Sequence, residues 1–447
     1  MSWLGLDRIA NLVNGRLLGQ DVPVEGVYTD TRKLAQGRLF VALKGPRFDA
    51  HEFVRDDLAA AGVMVSRPCE TRLPQVIVED TKAALGRLSA NWRAGLDLPV
   101  IGLTGSNGKT TVKEMTASIL SVSGSVLATR GNLNNDIGVP LTLLELRAGH
   151  ERAVIEMGAN HPGEIAYLTS LVRPTIAMVT NAGPAHLEGF GTIEGVSRAK
   201  GEIYAGLREA GVALINADDT YADYWRGLVG EHRVLSFGLD APADISAQPA
   251  DRDRWEITTP AGAVVLRLPL PGRHNLMNAL AATAASLAAG ATPEQVRDGL
   301  ESMRPVDGRM QQLASATGLQ LIDDTYNANP GSLDAALEVL AAAPGERWLI
   351  LGDMGELGSA AAEIHRSAGR QAREAGIERL YALGPLSREA VGGFGEGAAH
   401  FERLEDLCEA LRGVGRAGVT ALVKGSRSMR MERVVECLRD GGGSERG

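Results

Sequence analysis

Cysteine is scarce in this chain of 447 residues: Cys69, Cys408 and Cys437 are an odd number, far apart, with no C-x-x-C pair. That excludes a disulfide framework and a zinc knuckle, and it fits a reducing compartment. Long apolar runs are also missing. The longest candidate, the Ala-rich stretch from Ala279 to Ala291, is interrupted by Thr and Ser and falls short of the roughly 18 residues that a bilayer span needs. No membrane span is therefore expected. The first residues, Met1 to Arg8, place Asp7 and Arg8 where a secretory signal needs an apolar core, so a cytoplasmic location is expected. Excess positive charge is absent too. The net charge of −9 argues against nucleic acid as a partner.

One stretch stands out against these absences. Val100 to Leu103 is a short apolar run that reads as a buried strand, and it breaks at Thr104-Gly105-Ser106-Asn107-Gly108-Lys109-Thr110-Thr111. Val112, Met115 and Ile119 follow at helical spacing. Strand, glycine loop and helix together form a phosphate cradle, in which main-chain N–H groups and the helix N-terminus converge on an anion. Lys109 would reach the outer phosphates of ATP, and the Thr110 hydroxyl would sit on Mg2+. The long Walker spacing is not met, because Leu103 occupies its first glycine position. The shorter form Thr-Gly-Ser-Asn-Gly-Lys-Thr remains, and it predicts ATP binding.

The length suits about three domains, and the pattern of strands and helices predicts an α/β chain built from them. A small α/β N-terminal domain is expected over residues 1–95. It would hold a helix through Leu4, Ile9, Leu12 and Val13, strands at 17–18, 26–32, 39–43 and 76–78, and a charged loop from Lys44 to His51. Residues 96–304 alternate strand and helix, which predicts a central P-loop ATPase domain with a mostly parallel sheet. Its strand ends carry Asn132, Asn134 and Asn135, then Glu156, then His186. Asparagines gathered at a strand end need partners when buried, so they are candidates for lining a site. Glu156 is a candidate second magnesium anchor, and His186 lies at the carboxyl end of a strand, where open α/β sheets bind ligands. Residues 305–447 repeat the alternation and predict a C-terminal Rossmann-like, doubly wound domain. It lacks the glycine fingerprint of dinucleotide binding and carries polar groups such as Asp324, Asp353 and Lys424 at its strand ends. A cleft between domains is the expected ligand site.

The glycine loop, Glu156-Met157-Gly158, the loop Asn181 to His186 and the run Gly272 to Asn278 together resemble the ATP-dependent Mur ligases of cell-wall synthesis. The runs 132–140, 323–330 and 351–358 carry the same resemblance, which spans nearly the whole chain. One departure is Ala50, where the family usually has Gly. The resemblance implies a monomeric ligase that uses ATP and Mg2+ to join D-alanyl-D-alanine to UDP-N-acetylmuramoyl-tripeptide through an acyl phosphate. It implies catalytic roles for Lys109, His186 and Lys200, with Lys200 carbamylated and a metal ligand beside Thr110, Glu156 and His186. ATP would be held by Gly105, Ser106, Asn107, Gly108, Lys109, Thr110 and Thr111, with Asn275 and Asn278 at the adenine and Arg309 and Asp324 at the ribose and phosphates. Thr31, Arg47, Asp49 and His51 would hold the UDP end, and Asn134 and Asn135 the sugar-peptide. Asn327, Asn329 and Asp353 would lie near the dipeptide. Two other readings compete: a folylpolyglutamate synthase, against which the Thr29 to Arg32 and Phe48 to His51 runs argue, and a nucleotide switch, for which no Asn-Lys-x-Asp element is present.

Overall fold

A computed structural model describes residues 3–32, 36–304, 306–315 and 318–439. The expected boundary at Pro305 lies outside the described residues.

Three sheets of five or six strands dominate. The first contains Arg16–Leu18, Gln75–Ile77, Gly62–Val65, Leu39–Val41 and Val27–Tyr28 in that spatial order. Its last four strands run parallel, and Arg16–Leu18 pairs antiparallel with Gln75–Ile77. Helices Leu6–Val13 and Thr81–Ala94 bury Ile9, Val13, Leu85 and Leu88 against it. Leu4, expected in the first helix, instead pairs with Val24 in a two-stranded ribbon. Gly62–Val65 was not anticipated. Its run follows three alanines, and a short apolar stretch of that kind fits a helix as well as a strand.

The second sheet has six parallel strands, ordered Arg233–Phe237, Val212–Asn216, Ile176–Val179, Val100–Thr104, Arg152–Glu156 and Val126–Ala128. Alternation along each strand sorts the side chains into two layers. Ile101, Leu103, Val154, Met178 and Leu214 face helices Lys109–Ser121 and Arg273–Ala288. Val100, Ala153, Ile155, Ala177 and Ile215 face the other way, toward helices Glu164–Val172 and Ile193–Gly201. The glycine-loop strand therefore sits inside the sheet, flanked by two strands whose ends supply polar groups. A three-stranded antiparallel ribbon (Ser246–Pro249, Trp255–Thr259, Gly262–Leu266) closes one side.

The third sheet is ordered Gln311–Ala314, Gln320–Asp324, Val419–Lys424, Glu346–Gly352, Arg379–Leu383 and Ala398–Phe401. All its pairs are parallel except the first, which is antiparallel. The edge strand Gln311–Ala314 is half polar, Gln-Gln-Leu-Ala, and too short to give a strand signal in the sequence. No described helix is long and apolar enough to cross a membrane.

Candidate active site

The phosphate loop folds as its glycines dictate. Gly108 has φ 79° at the N-cap of helix Lys109–Ser121, and a Cβ there would lie 2.3 Å from Asn278 Oδ1. A side chain at 108 would thus meet both a disfavoured backbone conformation and a buried asparagine. The neighbouring strand braces the loop. Asn181 Oδ1 accepts from Asn107 N at 2.9 Å, Thr180 Oγ1 donates to Asn107 O at 2.7 Å, and Ser106 Oγ accepts from Gly183 N at 2.9 Å. Asn181 was read in the sequence only as part of a polar loop; its place at the end of the strand next to the phosphate loop was the available signal.

From this loop a hydrogen-bonded chain leads across the sheet. Thr110 Oγ1 donates to Glu156 Oε2 at 2.9 Å, and Asn134 Nδ2 donates to Glu156 Oε1 at 2.8 Å. Glu156 is buried at the end of its strand, so both carboxylate oxygens need these partners. Arg309 approaches from the far side, donating from Nη2 to Thr110 Oγ1 at 2.9 Å, with its guanidinium 4.1 Å from the centre of the Tyr326 ring. Lys109 Nζ donates to Gly105 O at 2.6 Å and Ser106 O at 3.3 Å, curling over its own loop. Desolvation lowers the Lys109 pKa, Glu156 opposes that shift, and Arg309 adds to it.

A cleft of about 1030 Å³ opens over these groups and is lined from all three sheets' connecting loops and helices. Asp324 and Lys424, register partners on adjacent parallel strands of the third sheet, form a buried ion pair at its wall. Asn329 Nδ2 donates to Asn107 Oδ1 at 2.8 Å, and His186 Nδ1 meets the carboxylate of Glu356. Both His186 and Glu356 are non-glycine residues in the left-handed region, with φ 55° and 61°, a strained geometry that the surrounding contacts hold in place. Burial lowers the His186 pKa; Glu356 pulls it back up, and Lys109 and Lys200 push it down. Arg309 Nε and His274 Nδ1 are buried at the cleft without a hydrogen-bond partner among the described residues. Such orphaned groups mark a surface shaped for a polar ligand.

The Mur ligase middle domain matches residues 103–286, and the Mur ligase, glutamate ligase domain matches residues 308–427. The UDP-N-acetylmuramoyl-tripeptide--D-alanyl-D-alanine ligase of Escherichia coli (strain K12) is 47% identical, over 98% of both chains. The chain belongs to the Mur ligase family. A crystal structure of MurF from Acinetobacter baumannii superposes with a TM-score of 0.92 at 37% identity, covering 98% of this chain and 99% of that one. MurF from Thermotoga maritima, solved in complex with ADP, gives 0.83 at 28% identity, over 93% and 97%.

In this Mur ligase the expected site residues fall into two groups. Ser106 to Thr111, Asn134, Asn135, Glu156, His186, Asn275, Asn278, Arg309, Asp324, Asn327 and Asn329 all line the one cleft. Gly105 lies just beneath, where a Cβ would meet Thr180 Oγ1 at 1.8 Å. Lys200 is buried behind the lining, 5.8 Å from the centre of the Phe190 ring, and no hydrogen-bond acceptor or carboxylate of the described residues meets its ammonium. Its pKa is driven well below the ordinary lysine range, first by burial and then by Lys109.

Other residues stand apart from the cleft. Asp49 and His51 satisfy each other: His51 Nδ1 lies 2.5 Å from Asp49 Oδ1, His51 Nε2 accepts from Ser66 N at 2.8 Å, and Arg67 holds the second Asp49 oxygen. The His51 backbone N–H, which donates to Asp49 Oδ1 at 3.0 Å, leads in holding the Asp49 carboxyl far below its usual range, and the His51 ring and Arg67 add to it. Arg47 is exposed and Thr31 half-buried. Asp353 is buried within the third sheet's loops, where its Oδ1 accepts from Ser387 N at 2.7 Å; it does not line the cleft.

Proposed function

We propose that this Mur ligase joins D-alanyl-D-alanine to UDP-N-acetylmuramoyl-tripeptide, at the expense of ATP, in the synthesis of the peptidoglycan precursor. The observation that carries the reading is the chain Arg309–Thr110–Glu156–Asn134. It ties an ATP-type phosphate loop to an asparagine-lined arm of the same cleft, where an acceptor's carboxylate would meet the γ-phosphate. The substrates' identities come from relatives aligned end to end.

A carboxylate acylates poorly at neutral pH, so its oxygen first attacks the γ-phosphorus. A C–O–P link forms, and the bond from phosphorus to the β–γ bridging oxygen breaks with its electron pair leaving on ADP. The dipeptide's amine then attacks the acyl carbon, a C–N bond forms, phosphate departs with the C–O pair, and the nitrogen loses a proton. Two anions meet in the first step. Lys109, released from its own loop, and Arg309 supply positive charge there. Asn275 and Asn278, buried on helix Arg273–Ala288, would meet the adenine. Lys424 and Asp324 close the wall above it, and closure keeps water from the acyl phosphate.

The donor set fits Mg2+, since Glu156 and Thr110 offer hard oxygens. No group of three or more His, Cys, Asp or Glu gathers among the described residues, so such an ion would complete its shell with phosphate oxygens and water, with His186 and Lys200 nearby. Mg2+, when bound, neutralises the phosphates. Burial, with Lys109 adding to it, lowers the Lys200 pKa and so favours the neutral amine, the form that adds to carbon dioxide with an N–C bond formed and a proton released. A carbamate on Lys200 would carry a negative charge that Mg2+, when bound, could hold in place. Lys200→Ala should then be nearly inactive and be partly restored by formate or acetate. The phosphate loop, Glu156 and Arg309 come together within one chain, which supports a monomer, and the nucleotide substrates support a cytoplasmic location. The deciding assay is ADP formation with acceptor and dipeptide supplied together and each withheld. ATP hydrolysis at full rate without either would overturn the ligase reading in favour of a nucleotide switch.

A further inference from the structure

The cleft has an arm that ATP chemistry does not use. Lys82, in the first turn of helix Thr81–Ala94, reaches Asp136 on the asparagine loop, Nζ to Oδ2 at 2.8 Å. Both side chains line the cleft and stay accessible, 56% and 41% exposed. An accessible pair of this kind holds weakly and can exchange partners. The amides of Lys82 and Ala83 are already taken by Asp80 Oδ1 at 2.8 and 2.9 Å. With those two amides occupied, the Lys82 ammonium is the charged donor that this helix end presents to an anion.

We propose that Lys82 and Asp136 read the side chain of the acceptor's third residue and select a diamino acid whose far end is itself a zwitterion. The inference rests on the ligase reading above and deepens it. Asn134, which donates to Glu156 at 2.8 Å, stands two residues before Asp136, and two residues of extended chain span at most about 7 Å. The acceptor's terminal carboxylate has to lie at the γ-phosphate, beside Glu156. A side chain rising from that carbon through four bonds reaches roughly 5 Å, which brings its tip to the pair. A zwitterionic tip replaces the pair charge for charge, its carboxylate on Lys82 and its ammonium on Asp136. A lysine tip takes Asp136 alone and leaves a second cation beside an unpaired Lys82, a repulsion that builds specificity.

The test compares kcat/KM for UDP-muramoyl-tripeptides ending in 2,6-diaminopimelate or in lysine, each with D-alanyl-D-alanine and ATP. The wild type should favour the first by about tenfold or more, the size of one discriminating charge contact. Lys82→Met keeps the side chain's apolar stem. It should cost the diaminopimelate acceptor about tenfold, mostly in KM, while improving the lysine acceptor by relief of that repulsion and sparing the KM values for ATP and dipeptide. Asp136→Asn should weaken both acceptors, because both carry the ammonium. Equal losses on both acceptors in Lys82→Met would make the pair a mere strut and overturn the inference, as would a wild type indifferent to the two. Absence of dipeptide-dependent ADP formation with either acceptor would instead sink the ligase reading itself.

Discussion

The central and C-terminal sheets have nearly the same architecture, yet they equip their strand ends in opposite ways. The central sheet answers a phosphate with backbone: Gly105 and Gly108 let the chain turn, and Thr180 and Asn181 brace it. The C-terminal sheet equips its strand ends with side chains, chiefly the ion pair of Lys424 and Asp324, which parallel pairing places side by side although they are 100 residues apart. A backbone cradle needs glycines at set spacing and so leaves a motif, whereas a side-chain pair across strands leaves none.

The largest expected effect tests the backbone side. Lys109→Ala removes the cation proposed to meet the transferring phosphoryl group, and turnover should fall on the order of a hundredfold or more, about 3 kcal/mol. Steady-state ADP release measures it, and near-normal turnover in a folded variant would dissolve the contrast between the sheets.

On the side-chain side, Lys424→Met strands Asp324 in a mostly buried position. Denaturant titration should show a loss of about 2 kcal/mol, the cost of an uncompensated buried charge. Adding Asp324→Leu should recover most of it. A double variant no better than the single would mean that Lys424 acts through something other than its partner.

Where the two sheets' loops meet, Asn329 both caps helix Pro330–Ala341 and donates to Asn107. Asn329→Ala should cost about 1 kcal/mol and leave the ATP-bound enzyme more extended in solution scattering. An unchanged radius of gyration would assign the residue to its cap alone.

The smallest effect is a pH dependence. Burial holds the folded Lys200 pKa below the unfolded value. Between those two values the unfolded chain binds more protons, so stability rises with pH across that interval. Lys200→Met lacks this contribution. In carbon-dioxide-free buffer without ligands, the wild type's melting temperature should therefore gain on the variant's as pH climbs from neutral toward the ordinary lysine range. Parallel curves would show that Lys200 is not desolvated.

Legibility followed the same division. Strands such as Val100–Thr104 and Arg379–Leu383 announced themselves through apolar runs, and Glu156 through its place at a strand end. Gly62–Val65 and the short edge strand Gln311–Ala314 did not, since neither carries a pattern that distinguishes strand from alternatives. Asp49 and His51 looked like open ligand groups because they share a charged loop; folding shows them bonded to each other and to Ser66 and Arg67.

Local order along the chain was enough to determine the phosphate loop, the α/β class and the strand ends at which polar groups collect, because these depend on residues within a few positions of one another. Only the tertiary structure decided that Lys200 is buried, that Arg309 crosses to Thr110 and that Lys82 faces Asp136. Burial and long-range pairing are properties of packed elements, and no spacing within a single segment encodes which distant charge it will meet.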